Sequence, residues 1–208
     1  EEVGCAPTFE VHVNMWSEHY GRVMEVAQLV EARGVPYRMT LDHSHVIFKI
    51  DNPEEQEVLD MRPDVESGRV VLDPYQDGNV CDQWIGHNYV WHCHARATVP
   101  NNPKNIWGRH PDGRVGRGIQ YPFIQPAPGE YHSDWDEAKL EPWKEVVRHL
   151  LAHHAAQDNS PLGQISTEFI PGPDYGMGNK YSIFEHSVAC AKWIKATWAE
   201  TVAGKGAA

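Results

Sequence analysis

Four short apolar runs in this chain end on residues that bind metals or move protons. Phe9-Glu10-Val11-His12 carries a carboxylate and an imidazole, and Leu41-Asp42-His43-Ser44-His45 adds a hydroxyl to the same pair. Val90-Trp91-His92-Cys93-His94-Ala95-Arg96 alternates histidines with apolar residues, and Ile165-Ser166-Thr167-Glu168-Phe169 places one glutamate in an otherwise uncharged run. An unpaired charge in a strand-like segment is costly, so Glu10, Asp42 and Glu168 are expected to have a partner. Carboxylates and imidazole converging at strand ends form a hard donor set suited to Mn²⁺ or Mg²⁺, with Zn²⁺ and Co²⁺ as further candidates. His94 and His92 share a strand face, so either is a candidate imidazole ligand. His12 and His45 read as substrate-binding or supporting groups, and Ser44 as a cap or a partner for backbone.

Such residues must be carried by elements with the right periods. Thr8 to Asn14 alternates, with Glu10, His12 and Asn14 on one side. An amphipathic helix is expected from about His19 to Arg33, stopped by Gly34 and followed by Pro36. A second strand runs from Tyr37 to Asp42, a third from Asn88 to Ala95, and a fourth from Gly163 to Ile170. Pro53 to Leu59 reads as a short acidic helix, and Arg69 to Leu72 as a strand or a buried loop. Helices are predicted for Pro142 to Ala156, with Trp143, Val146, Val147, Leu150 and Leu151 as its apolar face, and for about Ser182 to Thr201. Residues 204–208 are expected to fray. Between the third strand and the Pro142 helix lies a long segment, about 98–137, rich in Pro, Gly, Asn and Asp; loops of that length are usually lids or binding loops. The repeated strand–helix order implies parallel strands with right-handed crossovers in a single α/β domain spanning 1–208.

In this order of elements and motifs the chain resembles the xylose-isomerase-like barrels, the sugar phosphate isomerase and epimerase superfamily. The matching pieces are Glu10-x-His12, Asp42-x-Ser44-His45, His92-x-His94, the Gly116-Arg117-Gly118 loop and Glu168, in the family's order. The resemblance implies an α/β fold of the (β/α)8 TIM barrel type, of which this chain supplies about the last four βα units. It implies one divalent metal, most often Mn²⁺, held by Glu10, Asp42, His94 and Glu168. It also implies that Glu10 and Glu168 exchange protons with the carbon beside a substrate carbonyl. His45, His12, His92 and an arginine, here Arg96, would then hold substrate oxygens, with His45 close enough to take part in catalysis. The implied activity is a metal-dependent sugar isomerase or epimerase. Lyases of the same superfamily, dehydratases and C-glycoside-cleaving subunits, begin with the same deprotonation, and the long loop suits a bulkier glycoside. A non-catalytic half-barrel subunit is the reading from another class. The apurinic-site endonuclease branch fits less well, because Gly108-Arg109-His110-Pro111-Asp112 lacks its closely spaced Asp-x-His ligands.

Composition narrows the partners. The 208 residues are 41% hydrophobic and 23% charged, with a net charge of −11, which repels a nucleic-acid backbone. No apolar run approaches the roughly 20 residues of a membrane span. The four cysteines are widely spaced and form no C-x-x-C pair, which points to a reducing compartment and a cytoplasmic location. Trp84, Trp91 and Trp107 are candidates to line a sugar pocket, while Trp143, Trp193 and Trp198 read as core or interface. Asp134 or Asp136 is expected to start a helix, and His153 and His154 to close one. The chain begins at Glu1 without Met, so a truncated or processed product is expected. Half a barrel leaves two raw sheet edges, so a second chain, or an N-terminal segment outside this sequence, is expected to complete an oligomer.

Overall fold

In a computed structural model the described residues are 4–205. Four strands, β1 (Phe9–Glu10), β2 (Met39–Leu41), β3 (Val90–His94) and β6 (Gln164–Ser166), form one parallel sheet in the order β1-β2-β3-β6. Between them run α1 (Tyr20–Glu31), α2 (Ser44–Ile47), α3 (Pro53–Gln56), α4 (Arg62–Glu66), α5 (Val80–Gly86) and α6 (Glu141–Ala155); α7 (Ile183–Lys205) follows β6. The remaining strands, β4 (Asn105–Arg109) and β5 (Val115–Gly116), make a separate antiparallel hairpin inside the long segment after β3. The architecture is α/β with a parallel sheet. Among the described residues the sheet is open, with β1 and β6 at its edges, so the closed eight-stranded barrel of the resemblance is not present.

The helices form where apolar residues recur at helical spacing. Tyr20, Val23 and Ala27 give α1 its buried stripe, and Gly34, at φ +74°, terminates the turn beyond it. Pro142 opens α6, whose buried face is Trp143, Val146, Val147, Leu150 and Leu151, as the periodicity predicts. Met39, Leu41, Cys93 and Ala95 alternate onto the opposite side of the sheet from the candidate ligands and join these helix residues in one core. Asp136 starts a helical turn by accepting from the backbone N–H of Ala138 at 3.0 Å. His153 and His154 close α6, bonded to Asn88 and Ser160.

Several sequence expectations change. Each strand is shorter than its apolar run, although single backbone bonds such as Val11 N–H to the Thr40 carbonyl continue beyond the strand ends. Ser44–Ile47 forms the helical turn α2; His43 precedes it, and its ring stacks on Trp143 at 5.1 Å. Arg69 to Leu72 is a loop that buries Val70 and Leu72, leaves Arg69 exposed and touches Asn79 through one isolated bridge at Val71. Helix α5 has no counterpart in the sequence reading; Asn79 caps it by accepting from Asp82 N at 2.9 Å. It carries Trp84 into the core, fully buried against Tyr20, so Trp84 lines no pocket. Helix α7 runs past Thr201 to Lys205, so residues 204–205 are helical, and 206–208 lie outside the described residues.

The Gly116-Arg117-Gly118 loop locks the hairpin to the body. A Cβ on Gly116 would lie 1.6 Å from the carbonyl oxygen of Pro173, so only glycine permits that approach. Asn105 donates to the carbonyls of Tyr175 and Met177, both at 2.8 Å. The Arg117 guanidinium enters a buried cluster of Glu18, Lys49 and Glu55, two charges of each sign that together sum to zero. Lys49 Nζ donates to Glu18 Oε1 at 2.9 Å and to the Glu55 carbonyl at 2.7 Å. Gly116→Ala is therefore expected to cost about 1–3 kcal/mol in urea unfolding. Gly86→Ala, on a helix with open space around it, is expected to be neutral or to stabilise by up to about 1 kcal/mol.

Candidate metal centre

The alternation of the parallel strands sets one face of the sheet. Thr8, Thr40, His92, Ser166 and Gln164 form a hydrogen-bonded belt across it. The links are Thr8 to Thr40 at 2.7 Å, Thr40 to His92 at 3.3 Å, His92 to Ser166 at 3.0 Å and Gln164 to Ser166 at 2.7 Å. Two residues further along each strand stand Glu10, Asp42, His94 and Glu168. Glu10 and His94 are the last residues of β1 and β3, Asp42 follows β2, and Glu168 lies two past β6. Each offers one donor atom, and all four donors lie within 4.8 Å of one another. Opposed donors on a small divalent cation lie about 4.2 Å apart, so the cluster is close to the spacing that an ion requires.

The belt separates the two histidines of β3. His92 is engaged by hydroxyls on both ring nitrogens, whereas His94 Nδ1 faces Glu10 Oε1 at 2.9 Å and Glu168 Oε2 at 3.4 Å. The imidazole in the cluster is that of His94.

Asp42 is fully buried, and its carboxylate is held from several sides. Ser44 donates to Oδ1 through its backbone N–H at 3.1 Å and through its hydroxyl. Arg96 NH1 donates to Oδ2 at 2.6 Å, and His45 Nε2 lies 3.3 Å from the same oxygen. Ser44, expected to cap or to bond backbone, thus supports a candidate ligand. Burial alone would raise the pKa of Asp42; the Arg96 charge and His45 overcome it and hold the carboxyl far below the ordinary range. Arg96 is also fully enclosed, with NH2 donating to Glu168 Oε2 and Nε to the Glu168 carbonyl at 2.9 Å.

Above Arg96 sits Tyr175, from the Gly- and Pro-containing loop between β6 and α7. Its ring covers the guanidinium at 4.4 Å, and its hydroxyl lies 3.2 Å from His12 Nε2. His12 Nδ1 is 2.6 Å from the Val13 carbonyl, which accepts only, so Nδ1 carries the proton in the neutral ring and Nε2 faces Tyr175. The rings of His12 and His45 are 4.4 Å apart. His12, His45 and Arg96 therefore border the cluster, while His92 lies in the belt beneath it. Trp91 turns away from the ligand face and packs on Arg38 at 4.5 Å, and Trp107 lies on the hairpin beside Lys180 and His132. Cys93 is buried beside His43 on the helix side of the sheet.

The two glutamates experience different fields. Burial raises the pKa of Glu168, and the opposing Arg96 and His94 charges leave it above the usual carboxylate value. Burial also acts to raise Glu10, but its hydrogen bond with His94 prevails and the net shift is downward. Comparison of the chain with known protein families, curated proteins and solved structures returns no match.

The hydrogen bond to Glu10, outweighing burial, lifts the pKa of His94 above the ordinary imidazole value of about 6.5. In the metal-free protein the stability contributed by this group is therefore present in full below about pH 6.5 and is lost as pH rises through the folded pKa. A cation needs the unprotonated nitrogen, so Mn²⁺ affinity is expected to climb over the same interval with release of about one proton. Titration calorimetry in two buffers of different ionisation enthalpy measures this. An affinity independent of pH, with no proton released, would remove His94 from the ligand set.

Proposed function

We propose that the chain carries a divalent-metal centre and acts on a sugar or related polyol, as an isomerase or epimerase that moves a proton beside a carbonyl. The observation that carries this reading is the convergence of Glu10, Asp42, His94 and Glu168, three carboxylates and one imidazole, at the C-terminal ends of adjacent parallel strands. Ligand sites in parallel α/β sheets gather at those ends. The motif resemblance to the xylose-isomerase-like superfamily supports the same reading. Glu10, Asp42, His94 and Glu168 would hold the ion, with Mn²⁺ the first choice for a mainly oxygen donor set. A bound divalent ion supplies Lewis acidity, polarising a carbonyl and its neighbouring hydroxyl.

The protein's own groups supply the rest. Glu10 ends one edge strand and Glu168 lies two residues past the other, both about a third exposed, while Asp42 between them is sealed. A carbon held between those carboxylates could lose a proton to one and regain it from the other. Glu10 and Glu168 are the two carboxylates of the cluster open enough to exchange that proton. The paired rings of His12 and His45, with the Tyr175 hydroxyl, offer hydrogen bonds to sugar oxygens at the rim. A lyase of the same superfamily is the second reading, supported by the long segment after β3 that carries the β4–β5 hairpin.

The sheet's geometry also supports the half-barrel reading of this chain. Strands β1 and β6 each have one neighbour among the described residues. Beside β6 runs an apolar groove of ≈ 450 Å³ lined by Leu151, Leu162, Ile165, Ile194 and Trp198. Further parallel strands, from a second chain or a preceding segment, would pair with those edges and enclose the ligand face. No helix among the described residues is long and apolar enough to cross a membrane.

Mn²⁺-loaded protein incubated with a panel of ketoses, aldoses and glycosides in D₂O is expected to place deuterium beside the carbonyl of its substrate, read by proton NMR. Glu168→Gln is expected to lower that exchange by at least about 10²-fold in a folded protein, the loss typical of a missing acid–base group. Unaltered exchange in the folded variant would exclude Glu168 from the proton transfer.

A further inference from the structure

Arg96 contributes no donor to the four-residue cluster, yet it touches two of its members. Its guanidinium is fully buried and four of its five N–H groups are engaged: on Asp42 Oδ2 at 2.6 Å, on Ser44 Oγ at 3.0 Å, on Glu168 Oε2 and on the Glu168 carbonyl at 2.9 Å. His45 Nε2 stands 3.4 Å from NH1, and Tyr175 closes one face of the guanidinium at 4.4 Å. On the far side of Asp42, Oδ1 takes both the backbone N–H and the hydroxyl of Ser44. Both oxygens of Asp42 and one of Glu168 are thus already engaged as acceptors.

A carboxylate binds an ion through both oxygens only when both turn the same side to it. Here the guanidinium holds Asp42 and Glu168 together by one oxygen each, and Ser44 stops Asp42 from rotating away. The charges agree with that geometry. Three carboxylates and one guanidinium leave two negative charges, which one divalent cation neutralises. Removing the guanidinium would leave the loaded site negative and free two carboxylates to wrap the ion.

We propose that Arg96 is a positioning residue that keeps Asp42 and Glu168 as one-oxygen ligands, leaving two places of a six-coordinate divalent ion for the carbonyl and adjacent hydroxyl of the substrate. This rests on the metal-centre reading above. It assigns Arg96 to the carboxylates and not to substrate oxygens. Four protein donors fill four positions of the six that Mn²⁺ and Mg²⁺ favour. Were Asp42 and Glu168 both to bind through two oxygens, no position would remain.

The test is the number of exchangeable waters on bound Mn²⁺, measured by water-proton relaxation and ¹⁷O ENDOR with Mn²⁺ alone and no sugar. The wild-type protein is expected to show two. Arg96→Gln, confirmed as folded by circular dichroism, is expected to retain Mn²⁺ but lose at least one water. Arg96→Lys keeps the charge but offers one nitrogen where the guanidinium holds Asp42 through NH1 and Glu168 through NH2, so it too is expected to lose a water. A wild-type count of zero or one overturns the proposal, as does a folded Arg96→Gln or Arg96→Lys protein that still carries two. If Arg96→Gln does not fold, the wild-type and Arg96→Lys counts decide. Failure of the wild-type chain to bind Mn²⁺ at all overturns the metal centre and this role with it, an outcome distinct from Mn²⁺ bound without open positions.

Discussion

A carboxylate with no access to water governs this structure. Asp42 is sealed at the end of β2, and a buried charge is tolerated only when it is paired and fully hydrogen-bonded. The surrounding chain is arranged to meet that demand. The helical turn α2 begins immediately after Asp42 because Ser44 must bring both its N–H and its hydroxyl back to the carboxylate. His45, one residue on, reaches the other oxygen, and the backbone carbonyl of His45 is in turn held by the Tyr20 hydroxyl from α1. Arg96 arrives from the end of β3 and passes the constraint on to Glu168 beyond β6. One buried charge thereby ties three of the four strand ends together.

A second set of buried charges fixes the rim. Glu18, Lys49, Glu55 and Arg117 come from four separate segments and balance one another without help from solvent. Burial depresses the Lys49 pKa, while its pairing with Glu18 opposes that fall. Because Arg117 belongs to the hairpin insertion, the cluster anchors that insertion to the body of the domain. The hairpin in turn fixes the loop bearing Tyr175, through Asn105 and the close contact of Gly116 with Pro173. Ligand cluster and rim are thus two electrostatic units joined through one aromatic residue.

Much of this was legible in the sequence, and the exceptions have physical causes. Period-two alternation located Glu10, Asp42 and His94 on one side of their strands, and period 3.6 located α1 and α6 with their buried faces. Alternation could not choose between His92 and His94, because both share a face; the choice depends on how far along the strand the neighbouring hydroxyls of Thr40 and Ser166 reach. Helix α5 escaped notice because it is only seven residues long and its signal is the Asn79 cap, not a repeating stripe. Tyr175 was hidden for a different reason. Its position is set by contacts with residues some 60 to 160 positions away, and no local pattern encodes them. The closed barrel was an inference from family likeness, and four strands with free edges do not by themselves enclose a space.

The hairpin supplies no atom to the four-donor cluster, yet it decides where Tyr175 lies over Arg96. The donor cluster and the hairpin that positions Tyr175 are therefore separable parts of the chain. Residues at strand ends are bound by the register of the sheet and cannot shift without moving the donors. A hairpin attached through Asn105, Gly116 and Arg117 can lengthen, shorten or change its exposed residues, such as Ile106 and Trp107, while those three anchors persist. The tip of the hairpin can therefore change in length and composition without moving the four donor side chains beneath it.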